Sequence, residues 1–216
     1  KAKKKLISKI FKLYLSIYRD DGWRTTKLKT WDMLKWNAVG DHVYITKRAI
    51  SEFLSNPVVE KQTKASEYNE AAPKGARCFV AEHMFPTKQL QIFCFDVFKK
   101  SDPSFSEFQK VFKALNVICY VWYEEDEILR KSGLNSDITA AKAIDFSDFY
   151  YESIDTISLE KNLSRLKRLR YQNAATALDP VKTQFQSGIQ LFKKMSYMRN
   201  EKYELDDVVK GISYEN

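Results

Sequence analysis

Residues 117–123, VICYVWY, carry no charged side chain and consist mostly of β-branched and aromatic residues. Such residues favour a pleated, packed surface, so the run predicts a strand, the most apolar in the chain. A strand this apolar needs a sheet and a core around it. Three further segments read as strands: HVYIT at 42–46, and 79–85 and 89–96, joined by a turn at Pro86-Thr87-Lys88. Together they predict an α+β protein with a central, mainly antiparallel sheet of three to five strands, packed helices and a helical C-terminal third.

Helical periodicity supplies the rest. Leu6, Ile7, Ile10, Phe11, Tyr14, Leu15 and Tyr18 share one face of a helix over 3–18, and Lys5, Lys9 and Lys12 share the other. Residues 47–54 look helical and stop at Asn56-Pro57. Residues 103–115 predict a helix with Phe105, Phe108, Val111, Phe112 and Leu115 on one side. Glu124 to Lys131 and the long stretch 146–178 read as helix, and Asp179-Pro180 interrupts the latter. A last helix is expected over roughly 181–199. The chain then divides into a basic aromatic helical region (1–55), a polar linker or mobile loop (56–76), a central α/β core (77–135) and a helical region (136–216). These are expected to form one compact domain.

Composition narrows the classes. The 216 residues are 44% hydrophobic, too apolar for disorder, and contain only 6 Gly and 5 Pro, which excludes collagen-like and low-complexity chains. No run of about 18 apolar residues exists, so no transmembrane helix is expected. The basic, amphipathic N-terminus lacks the continuous apolar core of a signal peptide. Two His exclude zinc fingers and three-His zinc sites. Cys78, Cys94 and Cys119 lie among apolar neighbours with no CxxC spacing, which suits buried thiols in a reducing cytoplasm.

The net charge of +8 is unevenly placed. Residues 1–64 carry 15 Lys/Arg against 6 Asp/Glu, and residues 161–216 carry 11 against 6. Between them, residues 65–160 carry 10 against 16. Two basic ends around an acidic middle suit a polyanion partner, nucleic acid and most simply DNA. One basic cluster is Arg24, Lys27, Lys29 and Lys35, interleaved with Trp23, Trp31 and Trp36. Aromatics among cations suit base stacking and backbone contacts, although three Trp also suit a core. In the same stretch a short helix capped by Thr30 is expected. The other cluster is Arg165, Lys167, Arg168 and Arg170, which suit phosphates unless they form a solvated helical face.

Among the acids, Glu124-Glu125-Asp126-Glu127 follow the apolar strand. Glu124 and Asp126 could hold Mg²⁺ there, and a helix N-terminus equally favours such a run. Asp96 and Lys99 are separated by two residues, which places them on opposite faces of a strand and argues against the acid-x-Lys pairing of PD-(D/E)xK nucleases. No phosphate-binding loop, GxGxxG, GxSxG or HExxH motif is present.

Ala81-Glu82-His83-Met84-Phe85-Pro86 is the most suggestive local motif. A His can take a proton from water, and a neighbouring carboxylate can orient it or hold a cation. The Glu-His-x-x-Pro segment resembles the first element of ββα-metal nucleases of the HNH type. That resemblance covers some 40 residues and implies a hairpin over 79–95 followed by the 103–115 helix. It implies His83 as general base with Glu82 beside it, and Mg²⁺ held by Glu82, Asp96 and Asp102. No His follows His83, so the family's second metal-binding His would give way to Asp102, Glu107 or Asn116. His42 is the only other base of this type.

The expectation is a protein acting on nucleic acid, in its catalytic version a metal-dependent DNA endonuclease of restriction or mobile-element type. The alternative is a non-catalytic nucleic-acid-binding or interaction subunit of a larger assembly, and a homodimer is also open. A third reading is a binder of an acidic partner that meets no nucleic acid.

Overall fold

The structure, a computed structural model, describes residues 2–18, 40–55, 79–93, 104–132, 161, 163–165, 170–172, 174, 176 and 178–214. It is α+β. The chain forms two compact units, each assembled from three stretches: 1–40, 83–117 and 133–170 in the first, and 41–82, 118–132 and 171–216 in the second.

The second unit holds the sheet. Strands β1 (Tyr44–Thr46), β2 (Phe79–His83), β3 (Ile118–Trp122) and β4 (Pro180–Lys182) lie in the order β2-β3-β1-β4. The apolar run of 117–123 therefore occupies an interior position, as its lack of polar residues requires. The sheet is mixed rather than mainly antiparallel. β1 runs parallel to β3, Tyr44 opposite Cys119, and antiparallel to β4, Ile45 opposite Val181. β1 and β3 each lead directly into a helix, α2 (Lys47–Ser55) after β1 and α5 (Tyr123–Lys131) after β3.

Alternation along the strands sorts the side chains. Ile45, Phe79, Tyr120 and Trp122 pack with Ala49, Ile50 and Phe53 of α2, with Leu191, Phe192, Met195 and Met198 of α6 (Gly188–Asn200), and with Val208 and Ile212 of α7 (Leu205–Ile212). The rings meet edge to face: Phe79 lies 5.3 Å from Trp122 at 80°, and Tyr120 lies 5.0 Å from Phe192 at 80°. Such pairs add stability beyond area burial. On the opposite face, Tyr44, Cys119 and Val121 are buried too.

Two elements differ from expectation. Residues 89–96 were expected as a strand, but Thr87–Ile92 form the helix α3, and 94–96 lie outside the described residues. Pro86 occupies the N-cap, its carbonyl accepts the Leu90 N–H at 2.9 Å, and Leu90 and Phe93 are buried three residues apart. Leu90, Ile92 and Cys94 alternate as in a strand, yet Leu90 and Phe93 satisfy a helical period equally well. Residues 181 and 182, expected at the start of the last helix, instead lie in β4 (Pro180–Lys182). It lies at the sheet edge and begins with Pro180, where a missing N–H costs no ladder bond. The helix starts after Ser187, whose Oγ accepts the Gln190 N–H.

The first unit is helical in its described residues. α1 (Ala2–Tyr18) packs on α4 (Phe105–Leu115) through the Phe11 ring, 5.4 Å from Phe105 and 5.1 Å from Phe108. α4 begins with a capping box. Ser104 Oγ accepts the Glu107 N–H, and Glu107 Oε2 accepts the Ser104 N–H at 2.8 Å. Phe108, Val111, Phe112 and Leu115 are buried along one face. The interior continues through Ile7, Ile10, Phe85, Leu90, Phe93 and Leu163. The expected helix at Thr30–Lys35, the 56–76 linker and most of 146–178 lie outside the described residues.

Candidate nucleic-acid interface

α1 is helical because apolar residues recur every three or four positions with no Gly or Pro among them. Ile7 and Ile10 are buried, and the Phe11 ring packs tilted against Phe105 and Phe108 of α4. With that face occupied, Lys4, Lys5, Lys9 and Lys12 are left exposed. Lys5, Lys9 and Lys12 stand at i, i+4 and i+7, so they share one stripe. At 1.5 Å of rise per residue the stripe spans about 10 Å, the length of about three phosphates along one duplex strand. Lys3 turns away from this row, and its Nζ donates to the Gly40 carbonyl at 2.7 Å.

The predicted basic clusters fare differently. Arg24, Lys27, Lys29, Lys35, Lys167 and Arg168 lie outside the described residues. Arg165 is exposed, as is Lys161 one helical turn earlier. Arg170, expected as a phosphate contact, is 1% exposed, and its Nη1 donates to the His83 carbonyl at 2.9 Å. A guanidinium this deep supports backbone rather than meeting a partner, because moving it out would leave a carbonyl without its donor. Nothing in the local sequence marks Arg170 for burial; only the packing does.

The Glu82-His83 motif sits at the end of β2. Consecutive strand residues point to opposite faces, so this carboxylate and this imidazole do not converge. The hairpin on which the resemblance rests is not formed, since α3 replaces its second strand. Asp96 and Asp102 lie outside the described residues. Among the described residues, no three His, Cys, Asp or Glu side chains come together that could hold a metal. His42, the other histidine, lies edge-on to the Tyr214 ring at 4.4 Å, and Lys182 Nζ lies 3.9 Å from the centre of that ring.

The acidic run after β3 is tied down residue by residue. Glu124 pairs with Arg48, Asp126 with Arg130 at 3.0 Å and Glu127 with Lys131 at 3.7 Å. Glu125 is buried at the carboxyl ends of β1 and β3. Its Oε2 accepts the Thr46 hydroxyl at 2.5 Å and the Trp122 N–H at 2.8 Å. The Thr46 hydroxyl in turn accepts the Ala49 N–H at 3.2 Å, capping α2. Burial raises the Glu125 pKa above the ordinary carboxylate value, against the lowering influence of the Thr46 and Trp122 hydrogen bonds and of Arg48. Glu124 and Glu125 therefore tie the starts of α2 and α5 together at two parallel strand ends, while Asp126 and Glu127 pair within α5.

One exposed feature was not singled out by the sequence. Ile189, Lys193 and Tyr197 form a stripe on α6, opposite the buried Leu191, Phe192 and Met195. Their spacing of four was the available signal, and the expected start of that helix near 181 obscured it. No described helix is long and apolar enough to cross a membrane. Comparison with protein-family models, with curated proteins and with solved structures returns no match for this chain.

Proposed function

We propose that this chain binds nucleic acid, most simply duplex DNA, through its phosphate backbone and without cleaving it. The observation that carries this reading is the lysine stripe of α1. Among the described side chains of α1, Ile7 and Ile10 are buried and Phe11 packs on α4, while Lys5, Lys9 and Lys12 are exposed to a partner. An amphipathic helix that served a lipid surface would keep its apolar face free. The basic ends of the chain, at +9 over 1–64 and +5 over 161–216, add to the same attraction. Binding of this kind positions a protein on a polyanion and reads no sequence by itself. A cytoplasmic setting belongs to the same reading, and the buried Cys119 thiol is compatible with it.

A triple substitution Lys5→Ala/Lys9→Ala/Lys12→Ala tests it, because all three side chains are exposed and their loss leaves the α1–α4 contact intact. The variant is expected to lose roughly one to two orders of magnitude in duplex affinity at low salt, equally for unrelated sequences. Wild-type affinity in the variant would sink the proposal. Plasmid incubated with Mg²⁺ is expected to stay supercoiled with the wild-type protein. Nicking by wild type that disappears in His83→Ala would replace binding with the endonuclease reading.

A further inference from the structure

We infer that Lys3 is the positioning residue of the α1 surface: its ammonium, held on the Gly40 carbonyl, fixes the helix in the rotational setting that turns Lys5, Lys9 and Lys12 outward. This rests on the nucleic-acid reading above and names what holds that surface in place. Lys3, Ile7 and Ile10 stand at i, i+4 and i+7, the same spacing as Lys5, Lys9 and Lys12. The two rows are offset by two residues, or about 200° around the helix axis, so they occupy opposite faces. Ile7 and Ile10 are buried, and Lys3 is half-buried in line with them. A cation is thus built into the packed face, one turn before its first isoleucine.

The acceptor is held as firmly as the donor. Gly40 is buried, and its N–H donates to the Asn116 carbonyl at 3.0 Å. A Cβ on Gly40 would stand 2.3 Å from Val117 Cγ1 and 3.3 Å from the Asn116 carbonyl oxygen, so this backbone lies tight against residues 116 and 117. Lys3 Nζ donates to the Gly40 carbonyl at 2.7 Å, a short, charge-assisted bond. Asn116 closes α4, whereas Phe11 meets Phe105 and Phe108 at the start of that helix. α1 and α4 therefore run antiparallel and are fastened at two points, one apolar and one polar. All of these residues belong to the first unit.

The polar fastening decides what the apolar one leaves open. Apolar contact is non-directional, so it tolerates a helix that rolls on its neighbour, whereas a hydrogen bond has one acceptor position. A roll by one residue, about 100°, would take Lys3 off the Gly40 carbonyl and swing the lysine row to the side of the helix. Leaving a carbonyl of a buried residue without its donor costs more than the bond itself contributes. Pointing inward, Lys3 acts on binding through the row and not through a phosphate of its own.

Lys3→Met is the test, because methionine keeps an unbranched apolar stem on the packed face and removes the ammonium. The amides of residues 6–9 close the first turn of α1 on the carbonyls of residues 2–5. In the variant they are expected to exchange with deuterium roughly tenfold faster, the effect of losing one hydrogen bond to a charged group. Duplex affinity is expected to fall roughly three- to tenfold, while its salt slope stays that of wild type because no phosphate contact is lost. Lys3→Arg, which can still donate to the carbonyl, is expected to restore both protection and affinity. Unchanged exchange in Lys3→Met overturns the inference whatever the duplex does. Where wild type binds duplex, unchanged affinity in Lys3→Met overturns it too, and so does a slope shallower by about one, which would make Lys3 a phosphate contact. A wild type that binds no duplex removes the proposed function and leaves the exchange measurement to decide the Lys3 fastening.

Discussion

At the scale of single residues, some positions are determined by space rather than by chemistry. Gly188 begins α6 where a Cβ would stand 2.0 Å from the Tyr120 hydroxyl and 2.4 Å from its Cζ. The Tyr120 ring cannot swing aside, because it is buried against Phe192. Gly188→Ala is therefore expected to cost about 1–3 kcal/mol, read as a shift in the urea midpoint at constant slope. An unshifted midpoint would show that the ring relocates freely. Such a glycine cannot be picked out by reading along the chain, since its partner is 68 positions away in number. Arg170 teaches the same lesson: among the basic residues of its cluster it alone is seen to be buried, and the reason is the His83 carbonyl beneath it.

Between elements, the joint at the carboxyl ends of β1 and β3 carries a titratable group. Glu125 binds Thr46, which caps α2, and the backbone of Trp122, which precedes α5. Its pKa is raised in the fold by burial, so the folded chain holds this proton more tightly than the unfolded chain does. Stability from Glu125 is thus fully present below the ordinary carboxylate value and is lost as pH rises through the raised one. Glu125→Gln is expected to remove this fall, because its amide oxygen can still accept from Thr46 and Trp122. Urea midpoints measured across the acid-to-neutral range check it; parallel curves for both proteins would rule the group out. Much of this joint was legible beforehand. The acidic run at 124–127 was read both as a helix start and as a cation site, and the helix start is what the pairs with Arg48, Arg130 and Lys131 build. The partners from α2 were not legible, because they lie far along the chain.

Across the whole molecule, the charge layout governs the response to salt. If the α1 stripe meets about three phosphates, the logarithm of duplex affinity should fall with the logarithm of salt concentration. Removing Lys5, Lys9 and Lys12 should make that slope shallower by about 3. A slope equal to that of wild type would move the contact elsewhere, to Arg165 or to basic residues outside the described segments.

The sequence by itself determined the elements whose signal is local and redundant. The helices read at 3–18 and 103–115, the strands read at 42–46 and 117–123 and the basic ends all follow from periodicity, residue type and charge within a few positions. Tertiary structure alone decided whether 87–92 would coil or extend, whether Pro180 would open a strand at the edge of the sheet, and that β1 would run parallel to β3. It also decided that Arg170 would turn inward while Tyr197 turned out. Short apolar runs fit two periods equally, and a side chain's exposure depends on what lies across from it. Such choices are settled by contacts between residues far apart in the chain, where no local pattern can record them.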